Sequence, residues 1–280
     1  MTIGSADQVK ELRDRTGAGM MDCKAALEAT SGDLEQAVDF LRKKGMAQAA
    51  KRAGRQAKEG LIVARIEGQK AAMVEANCET DFVARTDDFK DLAAMALDRV
   101  LAEGEGALSS EKVTRRVAEL SGKIGEKILV RRAMLVRGQG SLFFYIHSNQ
   151  KLGVIVDLSA QKPETTKDPG FRELGKNLAM QAAASNPICL KRDQMPLSLL
   201  EREKAIFREE VRGRPENIVE KIIQGKLDKF YQGACLLEQP FIRDDKMSVQ
   251  KLIDEAGKKL SDKIQVNQFV RFQLGENEKN

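Results

Sequence analysis

Few residues in this chain are able to do covalent or metal chemistry, and their spacing is wrong for it. His147 is the single histidine in 280 residues, which leaves one candidate for histidine acid/base work and excludes multi-histidine metal sites. Cys23, Cys78, Cys189 and Cys235 contain no Cys-x-x-Cys pair, so neither a zinc site nor a disulfide framework is expected and the four read as buried thiols. Gly17-Ala18-Gly19 and Gly138-Gln139-Gly140 lack the further spacing of a phosphate-binding loop. No catalytic constellation emerges, and the chain reads as a non-enzyme that needs no cofactor or metal. What stands out is Cys78-Glu79-Thr80-Asp81-Phe82-Val83, which sets an acid beside an aromatic where a strand gives way to a helix. The chemistry available there is contact, with a carboxylate and an apolar ring presented together. Taken alone, an apolar residue in a connection is expected to fold back over its own core.

The elements around that stretch must position it. Residues 71–78 are short, apolar and partly alternating, as a half-buried strand is. Thr86-Asp87-Asp88 precedes Phe89, Leu92, Ala93 and Ala96, a cap followed by the spacing of an amphipathic helix. Asp81 and Phe82 therefore fall in a strand-to-helix connection, which belongs on the surface. The arrangement of residues 61–66, a turn at 67–69, a strand to Cys78 and a helix from Phe89 recurs later as residues 142–147, a turn at 148–150, residues 152–158 and a helix from Phe171. Residues 128–136 supply a third strand to the first sheet, and residues 269–274 are expected to do so for the second. This predicts an α+β fold with two related lobes packed together, each an antiparallel sheet covered on one side by helix.

Before the lobes, Ser5 caps a first helix with Val9 and Leu12, which ends near Thr16-Gly17; a second helix carries Met20 to Leu27, and Asp33 caps a third. Arg42-Lys43-Lys44-Gly45 reads as the end of that third helix, and residues 46–58 as a separate helical linker. Val113, Val117 and Leu120 mark a helix expected to stop at Gly122, leaving Ile124-Gly125 in a connection. Between the second hairpin and its third strand lies a helical insertion, with Leu200, Phe207 and Val211 on one helix and Ile218, Ile222, Leu227 and Phe230 on another, turned by Gly213-Arg214-Pro215. Its narrow apolar stripes predict a projecting antiparallel hairpin able to pair with a second copy or with a partner. Net charge is +5, but 47 basic and 42 acidic residues are mixed along the chain and aromatics are 5%, so the Lys43 to Lys58 cluster reads as a solvated helix face before it reads as a nucleic-acid surface. No segment reads as a membrane span or secretory signal, so a soluble, cytoplasmic protein is expected.

The residues now quoted resemble one family. Leu12-Arg13, residues 16–27 and Thr80-Asp81-Phe82-Val83 are similar to highly specific motifs of bacterial elongation factor Ts, the exchange factor of elongation factor Tu. Ile124-Gly125-Glu126, Asn186-Pro187, Gln239-Pro240-Phe241 and residues 269–276 also fit its pattern. The resemblance implies a UBA-like three-helix domain with linker over 1–54, a duplicated core with a first lobe over 55–139 and a second over 140–185 and 237–280, and a coiled-coil or dimerisation hairpin over 186–236. It implies a guanine nucleotide exchange factor for GDP-bound and nucleotide-free elongation factor Tu, with Asp81 and Phe82 entering beside that partner's magnesium and phosphate site. It thereby reverses the expectation for Phe82, which becomes an exposed wedge. Matching positions suggest contact roles for Thr80, Val83, Arg13, Met20, Met21, Ile124, Gly125 and His147, and a homodimer or heterotetramer through the hairpin. Some members continue past the last strand into a further helix, whereas this sequence stops at Asn280, so contacts of that helix are not expected.

Overall fold

The computed structural model describes residues 5–213 and 215–276, so the expectation for Arg214 in the hairpin turn, and the part of the polar tail expected over 275–280 that follows Glu276, lie outside the described residues. Ser5 opens α1 (Ala6–Thr16) through a reciprocal capping box with Gln8, and Gly17 closes it in the left-handed region at φ 65°. α2 (Met20–Ala29) and α3 (Leu34–Arg52) complete a bundle closed around Leu12, Cys23, Ala26, Leu27 and Ala37. Asp33 opens α3, its carboxylate accepting the Gln36 N–H at 2.9 Å.

β1 (Glu59–Glu67) and β2 (Lys70–Cys78) form the first hairpin, with Val63 opposite Val74. A single helical turn, α4 (Asp81–Ala84), then leads to α5 (Asp87–Glu103), α6 (Glu111–Ile124) and β3 (Leu129–Arg137), which pairs on the free side of β2. β4 (Ser141–Ile146) and β5 (Leu152–Ala160) form the second hairpin, followed by α7 (Pro169–Ser185). The insertion is α8 (Leu197–Glu210) and α9 (Glu216–Ala234); a short ribbon of β6 (Pro240–Phe241) and β7 (Asp244–Ser248), then α10 (Val249–Lys259) and β8 (Ile264–Gln273), end the fold. The sheets run β1-β2-β3 and β4-β5-β8, all antiparallel. The chain is thus mixed α and β, with small antiparallel sheets.

Each larger sheet is covered on both faces, where covering on one side was expected. Ile62, Met73 and Val136 of the first sheet meet Ile155 and Phe272 of the second, while Phe89, Leu92 and Val100 of α5 cover the first from outside and Phe171, Leu178 and Ile253 cover the second. Burial on two sides explains why β2 reads as a near-continuous apolar run rather than a clean alternation. Two acids are nonetheless buried in the middle strands, Glu75 in β2 and Asp157 in β5, and each stands directly before a β-bulge. The Asp157 carboxylate accepts the N–H groups of Gln139 and Gly140, both at 2.9 Å, which fixes the crossover between sheets.

Two glycines read from sequence as helix stops are not stops. α3 passes Gly45 and absorbs most of the expected linker, and α6 passes Gly122 to end at Gly125, which takes φ 85°. Gly45 and Gly122 are where the two helices cross, and a Cβ on Gly122 would lie 3.0 Å from the Gly45 Cα, whereas one on Gly45 would meet nothing nearer than 3.8 Å. Gly45→Ala should therefore leave stability unchanged or raise it by up to about 1 kcal/mol through helix propensity. Gly122→Ala should lower it by about 1–3 kcal/mol through overpacking, more than propensity returns. Thermal unfolding of the two variants checks this, and a stabilised Gly122→Ala would refute the crossing argument. Half of the basic cluster is engaged: Lys44 pairs with Asp22 at 2.8 Å, Arg52 donates to the Ser121 carbonyl at 3.1 Å and Arg55, past the end of α3, pairs with Glu79 at 3.2 Å.

α8 and α9 pack on each other through Lys226, which pairs with Glu210 and lies over the Phe207 ring. Their base is closed by Met195, Ala234, Phe230 and Tyr231, and Arg192 pairs there with Asp228 on α9 and with Glu238 just past its end. Leu197, Ile206 and Ile218 remain exposed on the hairpin. Among the described residues no helix is long and apolar enough to cross a membrane.

All four cysteines are buried and free. Burial pushes the Cys78 and Cys235 thiols up to about 12 and raises Cys23 and Cys189 as well. A thiol reagent at neutral pH should leave the native chain unlabelled over a time in which the denatured chain takes up four equivalents. Fast labelling of the native protein would contradict the burial. An unfolded thiol ionises from about 9 while the folded Cys78 and Cys235 hold their protons toward 12, so the fold weakens as pH climbs through that window.

Candidate functional site

The strand-to-helix connection after β2 is a strut with one exposed tip. Thr80 caps α4, its hydroxyl accepting the Val83 N–H at 3.4 Å. A helical turn of four residues has only so many directions, and Val83 and Ala84 take the inward ones, packing with Leu61, Cys78, Phe89 and Ile128. Phe82 is left pointing outward and is 78% exposed. The ring does not cap its own lobe. Asp81 lies beside it, half-exposed, and pairs with Arg85 at 2.7 Å, a surface pair that holds little energy and leaves the carboxylate within reach of a competitor.

Residues remote in sequence hold the entry to this turn. The Glu126 carboxylate accepts the N–H groups of Glu79 and Thr80 at 3.1 and 3.0 Å and the Thr80 hydroxyl at 2.7 Å. In return the Glu79 carboxylate accepts the Lys127 N–H at 2.6 Å and pairs with Arg55; these contacts, the backbone one foremost, hold Glu79 below the usual carboxylate range. Lys127 Nζ donates to the carbonyls of Ala53 and Arg55 at 2.6 and 2.7 Å, tying the end of α3 to the same place. The Cys78 thiol donates to the Thr80 carbonyl at 3.1 Å.

The structure brings several sequence-predicted residues to this neighbourhood. Ile124, half-buried, packs against the same cluster as Val83 and Ala84, and Gly125 turns the chain into Glu126. Val83 itself is buried beneath the turn, where it anchors rather than presents. A cleft of about 470 Å³ separates Asp81, Ala84 and Arg85 from the turn at 148–151, and that turn is held to β1 by the Ile62 N–H, which donates to the Gln150 carbonyl at 2.7 Å. His147 stands exposed at the start of the turn with Nδ1 2.9 Å from the Tyr145 hydroxyl. On the bundle, Arg13 is exposed, as are Met20 at 60% and Met21 at 75%. The loop before Met20 comes close to α6, with Gly17 packed against the Lys123 side chain. From the sequence alone Glu126 is part of a motif and has no task of its own. The signal for one was faint, an acid directly after a helix-closing glycine, with its bonding partners 46 and 47 residues upstream. Among the described residues no three His, Cys, Asp or Glu side chains are grouped to hold a metal ion.

These features define a mixed α/β protein of two packed sheets with a helical bundle preceding them in the chain and a helical hairpin inserted before the last strands, whose candidate site is an exposed turn. Residues 79–276 match the family model described as Elongation factor TS, so the matched region opens at this turn. The chain belongs to the elongation factor Ts family, which serves translation elongation in protein biosynthesis. It is 46% identical to elongation factor Ts of Prosthecochloris aestuarii over 97% of this chain and 98% of that protein. It is 44% identical to that of Nitratidesulfovibrio vulgaris over 97% and 96%, and 44% identical to that of Desulfovibrio desulfuricans over 98% and 99%.

Proposed function

We propose that this chain is a guanine nucleotide exchange factor that speeds GDP release from elongation factor Tu, and that Asp81 and Phe82 are the part that enters the GTPase. The observation that carries the second half is the Phe82 ring, 78% exposed on a turn fixed from both sides. An apolar side chain inserted between elements of the GTPase displaces the segment that orders its magnesium, and the phosphates of GDP lose the cation that neutralises them. Asp81 adds a competing acceptor nearby. Linkage makes the effect reciprocal: the factor weakens GDP binding by the same ratio that GDP weakens the factor. One Phe contributes roughly 1.5–3 kcal/mol by area, so further contacts are needed. We assign these to Arg13, Met20 and Met21 on the bundle, to Thr80, Ile124 and Gly125 beside the turn, and to His147 across the cleft, with Val83 as their anchor.

In this reading residues 1–54 are a UBA-like domain and linker, 55–139 the first lobe, 140–185 and 237–280 the second, and 186–236 the coiled-coil hairpin. Descent of the two lobes from one unit is supported by Glu75 and Asp157, buried acids at the sixth position of the middle strand in each sheet, each before a bulge. Pairing of hairpins into a homodimer, or a heterotetramer with elongation factor Tu, is supported by exposed Leu197, Ile206 and Ile218. The deciding experiment is release of labelled GDP from elongation factor Tu with and without this protein. Acceleration is expected, and its absence would end the exchange reading.

A further inference from the structure

We propose that Glu126 is the positioning residue of the Asp81–Phe82 turn, a reading that rests on the exchange function argued above. One helical turn fixes more backbone than its own hydrogen bonds repay, so α4 needs support from outside. Packing of Val83 and Ala84 supplies the inward half of that support. The direction in which the chain enters the turn is set elsewhere.

The backbone donors of Glu79 and Thr80, the two residues between β2 and α4, both end on Glu126 Oε2, at 3.1 and 3.0 Å. The Thr80 hydroxyl donates its only hydrogen to Glu126 Oε1 at 2.7 Å, which leaves a lone pair facing the helix to accept from Val83. Glu126 thus decides the orientation of the cap itself. Its own place is fixed in turn, since the Ser121 hydroxyl donates to its carbonyl at 2.6 Å and its neighbour Lys127 donates to the Glu79 carboxylate. Bonds from N–H and O–H groups to a charged carboxylate are the strong kind, and three converge here. Their effect is to hold the Phe82 ring in one projection before any partner arrives.

The test is a double-mutant cycle on the full chain, read as stimulated release of labelled GDP from elongation factor Tu over a range of factor concentrations. Glu126→Ala should lower the maximal stimulated rate at least about tenfold, with a smaller change in half-saturating concentration because the remaining docking surface is untouched. Glu126→Gln keeps an acceptor for the two backbone donors and should restore much of the rate. Where Glu126→Ala does not fold, Thr80→Val removes the hydroxyl's bonds to Glu126 and to Val83 but keeps both backbone donors on Glu126, and should lower the rate in the same sense. In a Phe82→Ala background the same change should cost little more, since no ring remains to be aimed. An unchanged rate, or an equal loss in both backgrounds, would reduce Glu126 to a structural residue and overturn the proposal while leaving exchange intact. No stimulation by the unmodified chain would remove the exchange reading and this proposal with it.

Discussion

Phe82→Ala should cut the stimulated release of GDP from elongation factor Tu by about 10- to 100-fold, the equivalent of losing one buried Phe from the complex. The free protein should hardly notice. Its ring contributes no core packing, so the thermal midpoint and the denaturant midpoint of the variant should match those of the unmodified chain. That separation is what distinguishes a contact residue from a core residue, since truncating a buried Phe costs about 3–5 kcal/mol of stability. Asp81→Ala should also leave the fold intact, because the pair with Arg85 is a surface pair of the kind worth about 0–1 kcal/mol. The two substitutions touch one site and should be less than additive. Stimulated release equal to that of the unmodified chain in the double variant would remove the wedge mechanism while leaving exchange itself standing. A fall in stability as large as the fall in rate would show that the ring packs in solution in a way its exposure denies.

The readable parts of the fold were those governed by neighbours in sequence. Both hairpins, their turns and their third strands follow from apolar runs broken by turn residues, and the caps at Ser5 and Asp33 follow from side chains that reach only three residues along. Glycine was the ambiguous letter. Gly17 ends α1 at positive φ as expected, but α6 ends at Gly125 instead of Gly122, and Gly45 and Gly122 sit inside helices to let two backbones approach; nothing local distinguishes the two uses. The acids that hold the backbone were illegible for a related reason. Glu75, Glu126 and Asp157 look like any solvated carboxylate until donors from distant segments converge on them. The candidate site was half-readable in the same sense: its acid and aromatic stood out by type, whereas the outward direction of Phe82 depends on Val83 and Ala84 taking the two inward positions of a single turn.

Glu75→Ala should be the most destabilising single change in the seam between the lobes, by about 3–5 kcal/mol, because it strips the partner from a buried charge. The Glu75 side chain is fully buried and its carboxylate accepts from Arg132 Nε at 2.7 Å, Arg131 Nη1 at 3.3 Å and the Gly275 N–H at 2.9 Å. Arg132 is itself only 11% exposed, lies over the Phe272 ring at 4.2 Å and donates to the Gln273 carbonyl, so it cannot swing into water without leaving the second lobe. Truncation therefore leaves a guanidinium half-satisfied and the Gly275 N–H without its acceptor. Glu75→Gln keeps the shape and one acceptor and should cost less, about 1–3 kcal/mol. Arg132→Ala alone should be costly for the mirror reason, and in the double variant the two losses should fall short of their sum, since neither charge is then left unpaired. Denaturant midpoints of the unmodified chain and its four variants measure this directly; a loss below about 1 kcal/mol for Glu75→Ala would mean that water reaches the pair and the seam is looser than described. Because the Glu126 contacts do not involve Glu75, a well-folded Glu75→Gln should exchange nucleotide at nearly the unmodified rate, and a loss of rate without a loss of fold would place the seam, rather than the turn alone, in the path from docking to release.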